Sequence, residues 1–473
     1  MNDAQLARLL AAQNPWWRHV ARWRADDPDL GRAADAGFVY RPDPLAGIAP
    51  PGLYVLRGPR RVGKSLELKR AVERLLDSGV HPRQVIFCAC DTLRAQDLRR
   101  LFQVGRNLTR SIEGPRYWLL DEVTAIPDGW SAVVKQARDQ GPIDADCVVL
   151  TGSSARDLRE ARKDLAGRRG GVATSERLLL PMGFRSFCSA LASDSPAGPT
   201  LRAGDFLHRD ARDAILELAF WQEELEQLWE LYLEVGGFPR AVDGCKRTSD
   251  VTETFVHELW DVVSGEALRR SAMSDVEIRA LLDRLSVNLA SPLNLTTVAK
   301  DVRLGTHHTV SSRIHDLTVA FLTWVCYQSR DEAPNLAAQR KVYFADPLLA
   351  GLAHRLDPAL PAPDHSVLSE QQLGCALLRS LADDQASALI EGGQVMYERT
   401  PTGAEIDFVG PALGIPFESK YVDTGWRREA RTLTSRHGRG VIATRGALDV
   451  DSEIWAVPVS MVAWLLSPPP TPA

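Results

Sequence analysis

The sequence predicts a multidomain α/β protein whose first large domain is a parallel sheet covered by helices on both faces. Four apolar runs typical of buried strands, GLYVLRG, VIFCACD, YWLLDE and DCVVLTGSS, are separated by segments with helical periodicity. A glycine-rich loop follows the first strand, and adjacent carboxylates end the third. Because the carboxyl ends of parallel strands meet at one edge of a sheet, these polar groups are expected to lie close together.

Length and composition limit the fold and the partners. With 473 residues, 45% of them apolar and 25% charged, the chain is long enough for several globular modules, each with its own core. The net charge of -5 excludes a globally basic nucleic-acid-binding surface but permits a local basic patch. The seven cysteines show neither CxxC nor metal-binding spacing, which favours reduced, buried thiols.

The hydropathy pattern gives no indication of a membrane segment. No apolar run approaches the roughly 18 residues that a membrane span needs, and the N-terminal MNDAQLARLL lacks the build of a signal peptide. We therefore expect a cytoplasmic protein without a membrane partner.

Residues 1–50 are predicted to form an N-terminal arm that contains a short helix and the motif NPWW. Trp16 and Trp17 could stack on a nucleotide base, but paired tryptophans near the start of a chain more often anchor an arm on the next domain. Packing is the favoured interpretation.

A phosphate-binding loop is predicted between the first strand and the helix that follows it. The segment fits the pattern GxxxxGK[ST] in the required context. Its glycines let backbone N–H groups converge on phosphate oxygens, the lysine reaches the β and γ phosphates, and the serine binds Mg²⁺. The residues of the loop are Gly58, Pro59, Arg60, Arg61, Val62, Gly63, Lys64 and Ser65.

Two carboxylates are predicted at the carboxyl end of the third strand. Asp121 is expected to hold the Mg²⁺ shell, and Glu122 to orient or deprotonate the attacking water, which is the positioning that phosphoryl transfer needs. An acidic pair on a surface would be a weak signal. A pair that ends an apolar strand after a phosphate-binding loop predicts ATP hydrolysis.

The rest of the chain is predicted to form a helical lid, a winged helix and a second α/β domain. Apolar residues recur with helical spacing around the turn GGFP. Three helices and two strands follow in the order of a winged helix, and a proline-rich linker comes next. The predicted domains are the phosphate-loop core 51–200, the lid 201–272, the winged helix 273–350, the linker 351–366 and the C-terminal α/β domain 367–465.

Four residues of the C-terminal domain resemble the site of PD-(D/E)xK nucleases, which have a restriction-endonuclease-like fold. Asp407 lies on one predicted strand, Glu418 and Lys420 on the next, and Glu370 on a preceding helix. The resemblance implies that Asp407 and Glu418 bind Mg²⁺, that Lys420 stabilises charge near the nucleophile and that Glu370 completes the acidic shell. A polar hairpin would give similar residues by chance, and such a domain can also bind DNA without cutting it.

Taken in order, the motifs NPWW, GPRRVGKS, LLDEV, LTGSSA, LAGRR, GGFPRAV and EIDFV with ESK resemble a large prokaryotic family of AAA-type ATPases with a C-terminal domain of unknown function. The resemblance covers nearly the whole chain. It implies a three-layer AAA-type core that takes ATP and Mg²⁺ as cofactors, followed by a helical lid.

Three further site residues are predicted from individual motifs. Ser153, with Thr151 as the second choice, would be a polar sensor on a strand between the acidic-motif and P-loop strands; alternatively, Ser153 caps the next helix. Arg168 would be a finger reaching a neighbouring subunit's site, or part of a solvated basic loop. Gly237 to Pro239 resembles the GxP turn of signal-transduction ATPases, which implies that Pro239 packs against adenine; alternatively, the segment is an ordinary interhelical turn.

These patterns together predict an ATP-hydrolysing homo-oligomer that acts on duplex or branched DNA. It would bind DNA through its winged helix and carry a nuclease-like C-terminal domain that could cut DNA with Mg²⁺. The predicted DNA contacts are the recognition helix of the winged helix, from Thr306 to Arg313, and a basic helix with Arg427, Arg428 and Arg431. One alternative is a remodeller of DNA whose C-terminal domain binds without cutting. Another is a nucleotide-controlled oligomeric signalling switch for which DNA is irrelevant.

Overall fold

The computed structural model describes residues 1–152, 175–192, 194–267, 273–381, 392–400 and 403–469, and the single positions 165, 167 and 172. The chain divides into two compact units, Met1–Leu180 and Pro181–Ala473. The first unit ends before the predicted boundary at residue 200. Phe184 and Phe187 explain this difference, because their rings pack against Trp229 and Tyr232 of the second unit.

The first unit is built on a five-stranded, wholly parallel sheet with the order β2-β3-β4-β1-β5. The strand that ends in Thr151 therefore lies between the acidic-motif strand and the P-loop strand, as predicted. The central part of this sheet is buried on both faces, which is why strands such as VIFCA and CVVLT read as continuous apolar runs. The strands are β1 (Gly52–Arg57), β2 (Val85–Ala89), β3 (Tyr117–Asp121), β4 (Cys147–Thr151) and β5 (Glu176–Leu178).

Helices from the arm and from the core share one hydrophobic core with this sheet. Leu6 and Leu10 of the first helix are fully buried in the same cluster as Phe102 and Trp118. The helices are α1 (Asp3–Gln13), α2 (Trp23–Asp26), α3 (Pro28–Asp35), α4 (Lys64–Asp77), α5 (Ala95–Leu108) and α6 (Trp130–Gln140).

The NPWW motif attaches the arm to β2, the edge strand of the sheet. The Asn14 side-chain amide donates to the carbonyl of Phe87 (2.8 Å) and accepts from its N–H (2.7 Å), as a neighbouring strand would. The indole N–H groups of Trp16 and Trp17 both donate to the carbonyl of Val85. The packing interpretation of these tryptophans is confirmed.

The second unit begins with a helical region. Within it, Gly236 and Gly237 form a turn that no larger residue fits, because a Cβ at Gly237 would lie 2.3 Å from the carbonyl oxygen of Met182. The buried Asp346 carboxylate accepts the N–H of Gly237 (2.7 Å). The helices are α7 (Phe184–Leu191), α8 (Arg209–Leu218), α9 (Gln222–Val235), α10 (Pro239–Thr248), α11 (Glu253–Val262), α12 (Asp275–Val287), α13 (Leu295–Asp301), α14 (His307–Val319), α15 (Pro347–Ala350), α16 (Leu352–Leu356), α17 (His365–Ser380), α18 (Arg427–His437) and α19 (Val459–Leu466).

A seven-stranded sheet with the order β12-β11-β10-β9-β8-β6-β7 forms the rest of the second unit. Strand β9 runs antiparallel to its two neighbours β8 and β10, and β10, β11 and β12 run parallel. The strands are β6 (Thr323–Arg330), β7 (Ala333–Phe344), β8 (Met396–Arg399), β9 (Glu405–Val409), β10 (Phe417–Lys420), β11 (Gly440–Thr444) and β12 (Ile454–Pro458).

The continuity of this sheet corrects the predicted domain boundaries. The hairpin β6–β7 was expected in a separate winged-helix domain, but β6 pairs with β8 through Tyr327 and Met396. The predicted linker 351–366 carries the helix Leu352–Leu356, whose first two residues are buried, and the start of α17. It therefore connects two parts of one sheet and does not separate two domains.

All seven cysteines are unpaired and buried, as predicted. Among the residues that the structure describes, none of the helices combines the length and the hydropathy that a bilayer span requires.

Candidate functional site

The P-loop lies between β1 and α4, and its carbonyl oxygens contact the side chain of Lys64. Gly58 adopts a φ of 147°, and a Cβ there would lie 1.9 Å from the carbonyl oxygen of Leu179, so only glycine fits. The buried Lys64 ammonium donates to the carbonyl oxygens of Gly58 (3.0 Å) and Pro59 (2.9 Å). Gly63, with a φ of 99°, precedes the first residue of α4.

The other loop residues divide between the interior and solvent. Pro59 and Val62 are buried, whereas Arg60 and Arg61 are exposed. Arg61 also has a positive φ of 69°. The loop thus presents backbone and cationic side chains at the start of a helix, where anions are stabilised.

The acidic motif is held by Thr151 at the end of the neighbouring strand. The Thr151 hydroxyl donates a short hydrogen bond to the Asp121 carboxylate and accepts the backbone N–H of Glu122 (3.0 Å). Glu122 itself has left-handed backbone angles, with φ 52° and ψ 43°. Because a residue without glycine's freedom rarely adopts such angles, this strained position is consistent with a functional constraint.

Electrostatics connect the two motifs. Burial raises the pKa of Asp121, and hydrogen bonds from Thr151 and Ser65 oppose that rise. The charge of Lys64 also acts to lower the Asp121 pKa. Ser65 and Asp121 are therefore adjacent hard oxygen donors beside a lysine, a set that suits Mg²⁺. Ser153 and Arg168 lie outside the described residues.

The four nuclease-like residues also come together, within the second unit. The Lys420 ammonium lies 3.1 Å from Glu418 Oε1, and the other oxygen of Glu418 accepts the backbone N–H of Asp407 (3.1 Å). Glu370 and Asp407 are linked through a fifth residue, Lys341 of β7, whose Nζ lies 2.9 Å and 3.0 Å from their oxygens.

The sequence patterns did not identify Lys341 as a site residue. In the structure its side chain has no exposed surface. Its Nζ also lies 2.6 Å from Glu405 Oε1. The available signal was a lysine at the start of the apolar strand segment KVYF, where a buried charge requires partners.

The carboxylates of this cluster are strongly perturbed. Burial, followed by the charge of Asp407, raises the pKa of Glu370 to about 7 and that of Glu418 to about 8. Burial acts to lower the pKa of Lys341, but the negative groups around it outweigh burial and raise that pKa well above its usual value. Glu370 and Glu418 therefore hold protons to higher pH than ordinary carboxyl groups do.

The proposed metal ligands of this cluster are fully engaged by protein groups. Asp407 Oδ1 binds Lys341, and its Oδ2 accepts the N–H of Ser419 (3.0 Å). Glu418 uses one oxygen for Lys420 and the other for the Asp407 N–H. Within the described part of the chain, no group of three or more His, Cys, Asp or Glu residues is placed to hold a metal. The residues as arranged do not fit a divalent ion.

Pro239 is the first residue of α10, and the N-cap residue Phe238 separates it from the turn of Gly236 and Gly237. The structure explains this turn by close packing, since Asp346 and Met182 occupy the space that side chains would need. These contacts support the interpretation as an interhelical turn and leave the adenine contact a prediction.

The predicted DNA-contacting helices are solvent-facing. The neighbouring His307 and His308 at the start of α14 are exposed, and their ring centroids are 4.0 Å apart. On α18, Arg428 and Arg431 are exposed, while Arg427 pairs with Asp449 (3.1 Å).

Two family models match parts of the chain. Residues 51–188 match an AAA domain, and residues 226–360 match a domain of unknown function, DUF8612. Together with the sheet order and the P-loop geometry, the first match shows that residues 51–188 belong to an AAA-type domain with a P-loop. Neither match extends to the strands from β8 onward, so the nuclease resemblance finds no support in them.

Solved structures show only weak overall similarity. A Walker-type ATPase of Pyrococcus abyssi aligns at 16% identity and a TM-score of 0.37, over 69% of this chain and 93% of that protein. The Aeropyrum pernix ORC1 protein in complex with DNA aligns at 18% identity and a TM-score of 0.25, over 70% and 92%. The Aeropyrum pernix ORC2 protein aligns at 12% identity and a TM-score of 0.31, over 76% and 93%. Similarity this low carries no argument about function. No curated protein matches the chain.

Proposed function

We propose that this ATPase hydrolyses ATP with the residues gathered at the carboxyl edge of the first sheet and acts on DNA through its second unit. The observation that carries the proposal is the convergence of Lys64, Ser65, Glu122 and Thr151 on Asp121. Each role that phosphoryl transfer requires has a side chain of the right chemistry there.

The proposed roles follow from these positions. Lys64 exchanges its bonds to the loop carbonyls for bonds to the β and γ phosphates of ATP. Ser65 and Asp121 hold Mg²⁺, which neutralises developing phosphate charge when it is bound. Glu122 orients the attacking water. The Thr151 hydroxyl positions both acidic residues, because it bonds the Asp121 side chain and the backbone N–H of Glu122.

Three roles rest on the motifs alone. Ser153 is proposed as an additional polar sensor, Pro239 as the adenine contact, and Arg168 as a finger that completes the site of a neighbouring copy. The last role requires a homo-oligomer, because the finger acts on another subunit's nucleotide.

The DNA-binding part of the proposal is supported by element order and by charge. Three helices, α12 to α14, precede the hairpin β6–β7, which is the order of a winged helix. Antiparallel β8, β9 and β10 followed by a helix and parallel β11 match the order expected of a PD-(D/E)xK fold. The exposed Arg428 and Arg431 supply cationic groups for phosphates.

Between the two DNA-acting alternatives, the carboxylate geometry favours the one in which the C-terminal domain binds DNA without cutting it. Nuclease chemistry of the predicted type needs Asp407 and Glu418 free to bind Mg²⁺. Both carboxylates are engaged by protein groups instead.

The experiment measures ATP hydrolysis, Mg²⁺-dependent cleavage and gel shift on single-stranded, duplex and four-way-junction DNA. It compares wild type with Lys64→Ala, Lys420→Ala and the double variant Arg428→Ala/Arg431→Ala. We expect Lys64→Ala to lose hydrolysis, and DNA affinity to fall with salt because phosphate contacts release counterions. The double variant should weaken DNA binding and leave basal hydrolysis unchanged. Arg209→Ala, an exposed arginine of α8, is the control.

Three outcomes separate the candidates. DNA binding without metal-dependent cleavage supports the proposal. Cleavage that Lys420→Ala abolishes replaces it with the nuclease alternative. Hydrolysis with no DNA binding at any salt concentration replaces it with the signalling switch.

A further inference from the structure

A buried ammonium stands in the middle of the carboxylate cluster, which we define as Glu370, Glu405, Asp407 and Glu418. Lys341 Nζ lies 2.9 Å from Glu370, 2.6 Å from Glu405 and 3.0 Å from Asp407. These carboxylates come from two separate elements, α17 and β9, and the lysine comes from a third, the strand β7.

The three distances are those of a well-paired cation, and the contacts to Glu370 and Asp407 are hydrogen bonds. An ammonium group has three N–H donors, and three carboxylate oxygens lie within hydrogen-bonding distance of Nζ. The Tyr343 hydroxyl, on the same strand, donates to the same Glu370 oxygen (2.5 Å). A buried lysine without such partners would be strongly destabilising, so the carboxylates and the ammonium depend on each other.

A divalent metal would compete directly with this lysine. Mg²⁺ binds carboxylate oxygens at about 2.1 Å, so an ion on Asp407 Oδ1 would lie within roughly 5 Å of the Lys341 charge. Like charges that close, in a site removed from water, repel each other strongly. The metal would also have to displace the protein partners of the remaining Asp407 and Glu418 oxygens.

We infer that Lys341 is the resident cation of the carboxylate cluster, in the place where the sequence predicted a divalent metal. The cluster then serves to attach β7 to α17 and β9 within the seven-stranded sheet, and it takes up a metal only when the lysine charge is removed. This inference rests on the C-terminal part of the proposed function, but its test involves neither ATP nor DNA.

The test is a Mn²⁺ titration of the full chain in the absence of nucleotide. Electron paramagnetic resonance of free Mn²⁺ measures how much of the metal the protein binds. Four proteins are compared: wild type, Lys341→Met, Asp407→Asn and Lys341→Met/Asp407→Asn. Any Mn²⁺ held by Ser65 and Asp121 is common to all four, so differences report on the cluster. We expect Lys341→Met to bind one additional Mn²⁺ at least about tenfold more tightly than wild type, and Asp407→Asn to remove that site from the double variant.

Thermal unfolding gives a second readout. Lys341→Met leaves buried carboxylates without their cation, so its melting temperature should fall, and added Mn²⁺ should restore part of the loss. Wild type and Asp407→Asn should show equal shifts with Mn²⁺.

The wild-type comparison keeps the inference falsifiable even if Lys341→Met does not fold. A Mn²⁺ site that is present in wild type and lost in Asp407→Asn would overturn it, because a metal would then coexist with the lysine. Equal Mn²⁺ binding by folded Lys341→Met and wild type would overturn it as well. In either case the ATPase and DNA-binding proposals would be unaffected.

Discussion

Replacing Thr151 by valine is the sharpest perturbation of the ATPase site, because it removes one hydroxyl and keeps the side chain's shape. The hydroxyl donates to the Asp121 carboxylate and accepts the Glu122 N–H. Thr151 is fully buried, so water does not replace these bonds. Thr151→Val should therefore release both carboxylates from their positions.

The size of the effect follows from the lost hydrogen bonds. A hydrogen bond to a charged group contributes about 1.5 to 3 kcal/mol. If that contribution is lost from the transition state, kcat falls by about 10- to 150-fold. The KM for ATP should change much less, since the P-loop residues that hold the phosphates keep their contacts.

The pH profile adds a signature that a general loss of stability would not produce. Thr151 lowers the pKa of Asp121 against the raising effect of burial, so its removal should raise that pKa further. Asp121 must be ionised to bind a cation, and the acid limb of the rate profile should therefore move to higher pH in Thr151→Val.

The assay is steady-state phosphate release at saturating ATP across this pH range. Thr151→Ser, which keeps the hydroxyl, should recover most of the rate. Thr318→Val is the matched control, because its buried hydroxyl bonds only within the second unit. A folded Thr151→Val protein with kcat within twofold of wild type would refute the reasoning.

Three further predictions concern stability. Gly237→Ala places a Cβ 2.3 Å from a backbone oxygen and should lower the free energy of unfolding by at least about 2 kcal/mol in urea titrations, whereas Gly31→Ala, with open space around it, should not destabilise the protein. Asn14→Ala removes the bonds to the edge strand, so it should cost about 1 to 3 kcal/mol and speed amide exchange at Phe87. The folded-state pKa of Glu418 is raised from 4.5 to about 8. Its protonated form therefore stabilises the fold fully below pH 4.5, and this contribution is lost as the pH rises to about 8. In denaturant titrations, Glu418→Gln should reduce the fall in the free energy of unfolding between these pH values.

The first unit could be predicted from the sequence because its signals are local. The P-loop and the acidic pair each follow an apolar strand, and parallel pairing brings strand ends to one edge whatever the details of packing. The position of the Thr151 strand between the other two was likewise predicted and is observed. The preference for Ser153 over Thr151 as the polar sensor stays a prediction, since Ser153 lies outside the described residues.

The second unit was only partly predictable, because its organisation depends on long-range pairing. The strands near Met396, Asp407, Lys420 and Trp455 were expected, and their hairpins and parallel order follow from short connections. The pairing of β6 with β8 was not expected, since the prolines between them indicated a boundary. Lys341 was missed for the same reason: its partners are far away in sequence, and no local pattern identifies which carboxylates a buried lysine will meet.

The most direct test of the central claim, an AAA-type ATPase in which Glu122 positions the attacking water, is to measure ATP binding and hydrolysis in the same preparation of Glu122→Gln. Glutamine keeps the side chain's size but removes the charge that orients or deprotonates water. We predict that Glu122→Gln binds a fluorescent ATP analogue as wild type does and loses hydrolysis by at least about 100-fold. Hydrolysis at the wild-type rate by Glu122→Gln, or a wild-type protein that binds no ATP, would contradict the account.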